Sequence, residues 1–344
     1  MKFVVDDKIP YIRETLAMLA DEVVYLKGSA IGPDDVRDAD ALIVRTRTQC
    51  DERLLKGSKV QFVGTATIGY DHIDTTWCEQ NGIVWTNCPG CNAGSVAQYI
   101  ESALLTLMGN GQLKMDNSPL TLAVVGCGHV GSKVCKIGER LGMRVLVNDP
   151  PLEKTMENGE WKMEKSPLSI INSPLPFVSL DDIAREADII TFHVPLDDTT
   201  RYLANASFFE RLKKKPVIIN SSRGGVVDEA ALMQALDDRK VSRAVIDTWE
   251  NEPDISRALL NKVYIGTPHI AGYSADGKIN ADNMIIEALC RHFNLPQPPQ
   301  ILPPPPTFNA TYDIMEDCRK LKTHPEMFEE IRGNYPVRRE NFKW

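Results

Sequence analysis

The sequence predicts an α/β protein made of two parallel-sheet domains in tandem. Three observations carry that prediction. Short β-rich runs alternate with helical patterns over the first part of the chain, the alternation starts afresh near residue 120, and an apolar helix followed by a polar stretch separates the two series.

In the first series KFVVDD, VVYL, ADALIVRTRT, KVQFVGTAT and GIVWTNC read as strands, and PYIRETLAMLADE as a helix between the first two. SVAQYIESALLTLMG then has apolar residues at helical spacing, and GNGQLKMDNSP after it is a polar connector. The second series runs through LTLAVVG, HVGSKVCKIGERLG, MRVLVND, ADIITFHV, PVIINSSRG, DEAALMQALDD, RAVIDTWE and VYIGTPH. Residues 151–178, with no clear periodicity, read as an insertion in the second domain. Residues 276–293 look helical again, before the six prolines of QPPQILPPPP make a stiff linker or an arm over a surface. The last forty or so residues mix charge with Tyr312, Phe328, Tyr335, Phe342 and Trp344, as a docked or subunit-contacting segment would.

Composition narrows the function. With 344 residues, 43% hydrophobic and 25% charged, the chain has a globular composition, not a fibrous or disordered one. A net charge of −8 gives no general attraction for nucleic acid or anionic membrane, so neither is expected as a partner. MKFVVDDKIP is too short in apolar residues for a signal-peptide core, and no run nears the roughly 18 apolar residues that cross a bilayer. A cytoplasmic location is therefore the expectation, and eight scattered cysteines suit reduced thiols. Cys88-Pro89-Gly90-Cys91 has the spacing of a redox motif or half a zinc site, but no second such pair completes a tetrahedron, so no metal is expected. A glycine turn with incidental thiols is the simpler reading.

Chemistry enters at Gly126-Cys127-Gly128-His129-Val130-Gly131, a GxGxxG directly after an apolar strand and at the start of a helix. Gly126 permits the tight turn, Gly128 a close approach of backbone to a pyrophosphate, and Gly131 close helix packing, while the helix N-terminus offers N–H groups to an anion. The next strand ends in Asp149, 18 residues beyond Gly131, near the spacing at which an acid meets ribose hydroxyls. An acid there repels a 2′-phosphate, so the expected cofactor is NAD and not NADP.

Three polar residues follow predicted strands of the same domain: Arg223 after PVIIN, Glu252 after RAVID, and His269 after VYIG. Ligands bind beyond the carboxyl ends of strands in open α/β sheets. Alcohol oxidation by hydride transfer needs a base for the hydroxyl proton, which histidine supplies near neutral pH. A carboxylate on its far ring nitrogen fixes the tautomer, the role expected of Glu252. Arg223 offers a planar fork to a substrate carboxylate.

NSSRGGVVDEAAL, VIDTWENEP and TPHIAGYS resemble the signatures of the D-isomer-specific 2-hydroxyacid dehydrogenases, in which arginine, glutamate and histidine act in that order. The resemblance implies a flavodoxin-like substrate-binding domain at 1–94, a Rossmann NAD-binding domain at 95–275, a cleft between them, and a C-terminal segment at 276–344 that forms a homodimer. Carried over by position, it implies catalysis by Arg223, Glu252 and His269. It implies cofactor contacts at Gly126, Gly128, His129, Val130, Gly131, Asp149, Val194, Ser221, Ser222, Asp247 and Gly272, and substrate contacts at Thr46, Thr67 and Tyr273. Val194 stands where a threonine is common, which leaves a backbone contact there. The stretches FVGTATIGYDHID, PGCNAGSVA and IRGNYPVRRE further resemble a branch of the family acting on a phosphorylated sugar acid, and PGCNA makes Cys88 a variable position. Period-two alternation along ALIVRTRT places Arg45 and Arg47 on one face of a strand end, where they could hold the phosphate. The alternatives are a relative acting on another 2-hydroxy acid, and an NAD(H)-sensing, corepressor-like interaction protein on the same fold.

Overall fold

Near-continuous apolar runs, as opposed to alternating ones, are what strands buried on both faces require, and they build two all-parallel sheets. The computed structural model describes residues 1–113, 118–158, 176–305 and 312–340. Most of the expected insertion, part of the polar connector, and Phe342 and Trp344 lie outside these. The chain divides into two units, Met1–Asn92 with Ser274–Phe308, and Ala93–Tyr273 with Asn309–Trp344.

The first unit holds β1 (Lys2–Asp6), β2 (Glu22–Leu26), β3 (Ala41–Val44), β4 (Phe62–Thr65) and β5 (Val84–Thr86) in the order β2-β1-β3-β4-β5. This is the flavodoxin-like order, with its reversal at β1 and β3. Side-chain alternation splits each strand between two cores. Phe3, Val5, Ile43 and Phe62 face one, where Ile285 and Leu289 of the helix Ala275–Phe293 cover them. Val4, Leu42, Val44 and Val63 face the other. Gly64 lets that helix come close: a Cβ there would stand 3.0 Å from the Ile285 side chain. The proline-rich stretch lies as an arm on the same helix, with Asn283 exchanging two hydrogen bonds with the Ile301 backbone.

Two expectations change here. PYIRETLAMLADE keeps only Arg13–Ala17 as helix, because Ile12, Leu16 and Leu19 are buried by a single turn and Met18 is left 65% exposed. The strand expected through ALIVRTRT stops at Val44. Thr48 N–H turns back to Arg45 O, and Thr48 Oγ1 donates to the buried Gly28 carbonyl, so residues 45–48 form a turn and the two-face alternation of Arg45 and Arg47 does not hold.

The second unit holds β6 (Thr121–Val125), β7 (Arg144–Asn148), β8 (Ile189–Phe192), β9 (Val217–Asn220), β10 (Arg243–Ile246) and β11 (Ile265–Gly266), ordered β11-β10-β9-β8-β6-β7. Leu122, Val124, Ile219 and Val245 pack on one face with Ile100, Leu104 and Leu107 of the helix Ala93–Gly109. Ala123, Val125, Ile218 and Ile246 pack on the other with Leu232 and Leu259. Residues 276–344, grouped in the sequence reading as one segment, divide between the units. Beyond the proline arm, the helix Ile314–Thr323 buries Ile314 and Cys318 against the first of these cores and Leu321 against the second. All eight cysteines are buried and outside any disulfide; Cys88 Sγ donates to the Thr65 and Ala281 carbonyls, and burial pushes its thiol well above the ordinary range, which disfavours a thiolate there. Among the described residues no helix is long and apolar enough to cross a membrane.

Candidate active site

Strand β6 has β7 on one side and β8 on the other, the reversal beside which open α/β sheets bind ligands. The glycine loop leaves its carboxyl end. Gly126 takes φ +88°, in the left-handed region, and a Cβ on it would lie 2.5 Å from the His193 carbonyl oxygen. A Cβ on Gly131 would stand 2.0 Å from Gly126 O. At Gly128, by contrast, nothing lies within 4 Å of the Cβ position, which leaves open space over the loop for a pyrophosphate. The contacts thus give packing reasons for glycine at Gly126 and Gly131 and none within the protein at Gly128. His129 and Val130 lead into the helix Gly131–Arg140, and burial lowers the His129 pKa, with Lys133 adding to it.

Asp149 follows β7. Its Oδ2 accepts the Cys127 N–H at 2.7 Å, and its Oδ1 caps the next helix through Leu152 N–H at 3.1 Å. The half-buried carboxylate is so tied to the glycine loop itself. Val194 packs against Gly126 through its side chain. Beyond β9, Ser222 N–H and Oγ both donate to Asn220 Oδ1, while Asn220 Nδ2 donates to Arg223 O at 2.9 Å. Gly224 is pressed on the next loop, where a Cβ would lie 2.0 Å from the Trp249 carbonyl oxygen. Asn220 and Gly224 together set Arg223, whose Nη1 donates to Ser222 O at 2.8 Å. Ser221 Oγ is buried with no hydrogen-bond partner in the protein. Such an orphaned hydroxyl is costly unless a ligand meets it, so its position suits a bound nucleotide.

His269 and Glu252 are paired. His269 Nδ1 lies 2.7 Å from Glu252 Oε2, and Trp249 N–H donates to Glu252 Oε1 at 2.9 Å. A carboxylate only accepts, so Nδ1 carries the proton and Nε2 of the neutral ring is left as an acceptor. Burial works to raise the Glu252 pKa, but the His269 hydrogen bond and charge, the Trp249 N–H and the Arg332 guanidinium outweigh it, leaving the group below its ordinary value. His269 itself sits at φ +55°, a conformation that costs a β-carbon-bearing residue free energy and persists only where its surroundings impose it.

Asp247 imposes it. Its backbone carbonyl accepts His269 N–H at 2.8 Å; its carboxylate accepts Thr267 Oγ1 at 2.6 Å and the N–H groups of Ile270 and Ala271 at 2.9 Å each. That carboxylate has no exposed surface, and these three partners all lie in the His269 loop. Sequence reasoning missed a second support. Arg338, buried near the end of the chain, donates to Ser95 Oγ and to the Ile270 and Ala271 carbonyls, stacking on Tyr312 at 4.4 Å. Tyr273 N–H closes the turn on Ile270 O around Gly272, and the Tyr273 ring meets Tyr335 edge-on and carries the Arg332 guanidinium over its face. The one signal was the pair of arginines in PVRRE, of which Arg338 also reaches Tyr335 Oη three residues earlier.

In the first unit, Arg45 Nε donates to the buried Asp6 carboxylate at 3.3 Å, just past β1 and β3, while Thr46 and Arg47 are exposed in the turn. Thr67 lies just past β4 and is partly exposed.

Residues 106–271 match the family described as D-isomer specific 2-hydroxyacid dehydrogenase, NAD binding domain. The erythronate-4-phosphate dehydrogenase of Bacteroides thetaiotaomicron is 49% identical, covering 99% of this chain and 97% of that protein. Its namesake in Bacteroides fragilis strain ATCC 25285 is 50% identical with the same coverage. Among solved structures, the NAD+-bound 3-phosphoglycerate dehydrogenase of Entamoeba histolytica is similar with a TM-score of 0.68 and 27% identity, covering 86% of this chain and 95% of that one.

Proposed function

Because the chain belongs to the D-isomer-specific 2-hydroxyacid dehydrogenase family and is an NAD-dependent enzyme of it, we propose that it oxidises the C2 hydroxyl of 4-phospho-D-erythronate to 2-oxo-3-hydroxy-4-phosphobutanoate. This would be a step toward pyridoxal 5′-phosphate. The observation that carries the chemistry is the 2.7 Å contact between His269 and Glu252, and the substrate is supported by the erythronate-4-phosphate dehydrogenases at about half identity over nearly the whole chain.

NAD, when bound, accepts the hydride from C2. His269 Nε2 takes the hydroxyl proton, and Glu252 then holds the positive ring that results. Arg223 gives its planar fork to the substrate carboxylate next to C2, where it also polarises the forming carbonyl. Asp149 and Ser221, with Ser222 and the glycine loop, hold the nucleotide; Tyr273, Thr46 and Thr67 contact the substrate. Arg45, oriented by Asp6, serves the phosphate, joined by Arg47. The enzyme works as a cytoplasmic homodimer, with the C-terminal segment as the contact between subunits.

The test follows NADH formation with 4-phosphoerythronate, erythronate and 3-phosphoglycerate in parallel, with a 2-oxo acid acceptor present so that retained product cannot mask turnover. Activity confined to 4-phosphoerythronate is the expected result. Turnover of 3-phosphoglycerate alone would replace the substrate and keep the mechanism, and no turnover by a protein that binds NAD would remove the catalytic reading.

A further inference from the structure

Beyond the carboxyl end of β4 runs a chain of hydrogen bonds. Buried His72 Nε2 lies 3.0 Å from Thr65 Oγ1, Thr65 Oγ1 lies 2.8 Å from Thr67 Oγ1, and Thr67 Oγ1 donates to Gly69 O at 2.8 Å. A threonine hydroxyl has one proton. The Gly69 carbonyl can only accept, so the Thr67 proton is committed to it, and Thr67 must accept from Thr65. The Thr65 proton is then spent as well, and Thr65 must accept from His72. His72 therefore carries its proton on Nε2. Burial is the main cause that keeps the His72 pKa below its ordinary value, with Asp71 opposing, so the ring is neutral and its tautomer is set by this chain.

The direction of the chain has a consequence for recognition. Thr67 has a lone pair left and no proton. It can meet a donor but not another acceptor. Of the groups on 4-phosphoerythronate at neutral pH, the carboxylate and phosphate offer acceptors, and the C2 hydroxyl proton goes to His269. The C3 hydroxyl is the donor that remains.

We infer that His72 is a positioning residue which, through Thr65, makes Thr67 a pure acceptor, so that Thr67 selects substrates bearing a hydroxyl at C3. The inference rests on the proposed substrate and on Thr67 contacting it, and it assigns to that contact a polarity and a remote determinant.

The experiment compares kcat/KM for 4-phosphoerythronate with that for its 3-deoxy counterpart, 2-hydroxy-4-phosphobutanoate of the same C2 configuration. Wild type should prefer the hydroxylated acid by roughly ten- to a hundredfold, the cost of leaving the Thr67 acceptor without the donor it is set to meet. Thr67→Val should bring the ratio close to one. His72→Phe, which removes the donor, frees the Thr67 proton to rotate, and should lower the preference severalfold through KM with NAD affinity unchanged. His72→Gln, whose amide still donates to Thr65, should restore it. Thr65→Val breaks the chain without changing side-chain volume and replaces His72→Phe should that variant fail to fold. A preference equal in wild type, Thr65→Val and His72→Phe, or absent in wild type, overturns the inference. Wild type inert on both acids would instead remove the parent reading, and this inference with it.

Discussion

Asp247→Asn isolates what the buried carboxylate does for the His269 loop. Asp247 Oδ1 accepts from Thr267 Oγ1 and Ile270 N–H, and Oδ2 from Ala271 N–H. The best amide orientation keeps its oxygen at the Oδ1 site and turns its NH2 group on Ala271 N–H. One bond is lost and two donors face each other, at about 1–3 kcal/mol for an unmet buried group. Part of that is offset, because burial has raised the Asp247 pKa, with the His269 charge and the three donors pulling the other way, so the native state holds a costly anion. The net expectation is a loss of about 1–3 kcal/mol, read as a fall in Tm of roughly 2–4 °C per kcal/mol. Asp247→Ala, with all three donors unmet, should lose about 3–6 kcal/mol. A raised carboxyl binds more protons folded than unfolded, so its contribution to stability falls as pH rises from the ordinary carboxylate value toward the raised native one. The Asn variant lacks that falling component. Its turnover should drop about ten- to a hundredfold, since small displacements of a catalytic base are expensive. Parental Tm and turnover in Asp247→Asn would show that the loop is held without the carboxylate, and would refute this account of the His269 backbone.

His269→Ala should cut turnover by about 10²–10⁴-fold while NAD affinity, measured by calorimetry, stays within a factor of a few; unchanged turnover would take His269 out of the mechanism. The glycine loop supplies a paired test. Gly128→Ala meets open space and should keep the parental Tm while weakening NAD binding, whereas Gly131→Ala meets Gly126 O at 2.0 Å and should lower Tm before any ligand is added. Equal effects of the two on Tm would contradict the division of labour among these glycines. For Glu252 the native pKa is depressed, so its contribution to stability is present above the ordinary carboxylate pKa and is lost as pH falls through the native value. Thermal melts of wild type and Glu252→Gln across acid pH should therefore converge toward low pH; a constant gap would refute the pairing.

What was legible in the sequence was what local chemistry records. The two strand series and the dinucleotide loop each depend on residues a few positions apart, and the catalytic motifs stood at the ends of strands that burial made apolar. What was not legible lies where a distant group decides. Nothing within ALIVRTRT says that Thr48 will reach back to Gly28, twenty residues earlier, and end the strand at Val44. Nothing near Asp247 in sequence says that its carboxylate will accept from three groups of the turn at 267–271. The same logic explains Arg338. A guanidinium buried this deeply needs acceptors on several sides, and it finds them in Ser95, Ile270 and Ala271, from parts of the chain 67 or more positions away. The left-handed backbone at His269 is thus held from two directions, by Asp247 accepting N–H groups and by Arg338 donating to the carbonyls of the same two residues. That opposed pair fixes the N–H and the carbonyl of both Ile270 and Ala271, and so holds His269 in its strained conformation, as the role proposed for it as a base requires.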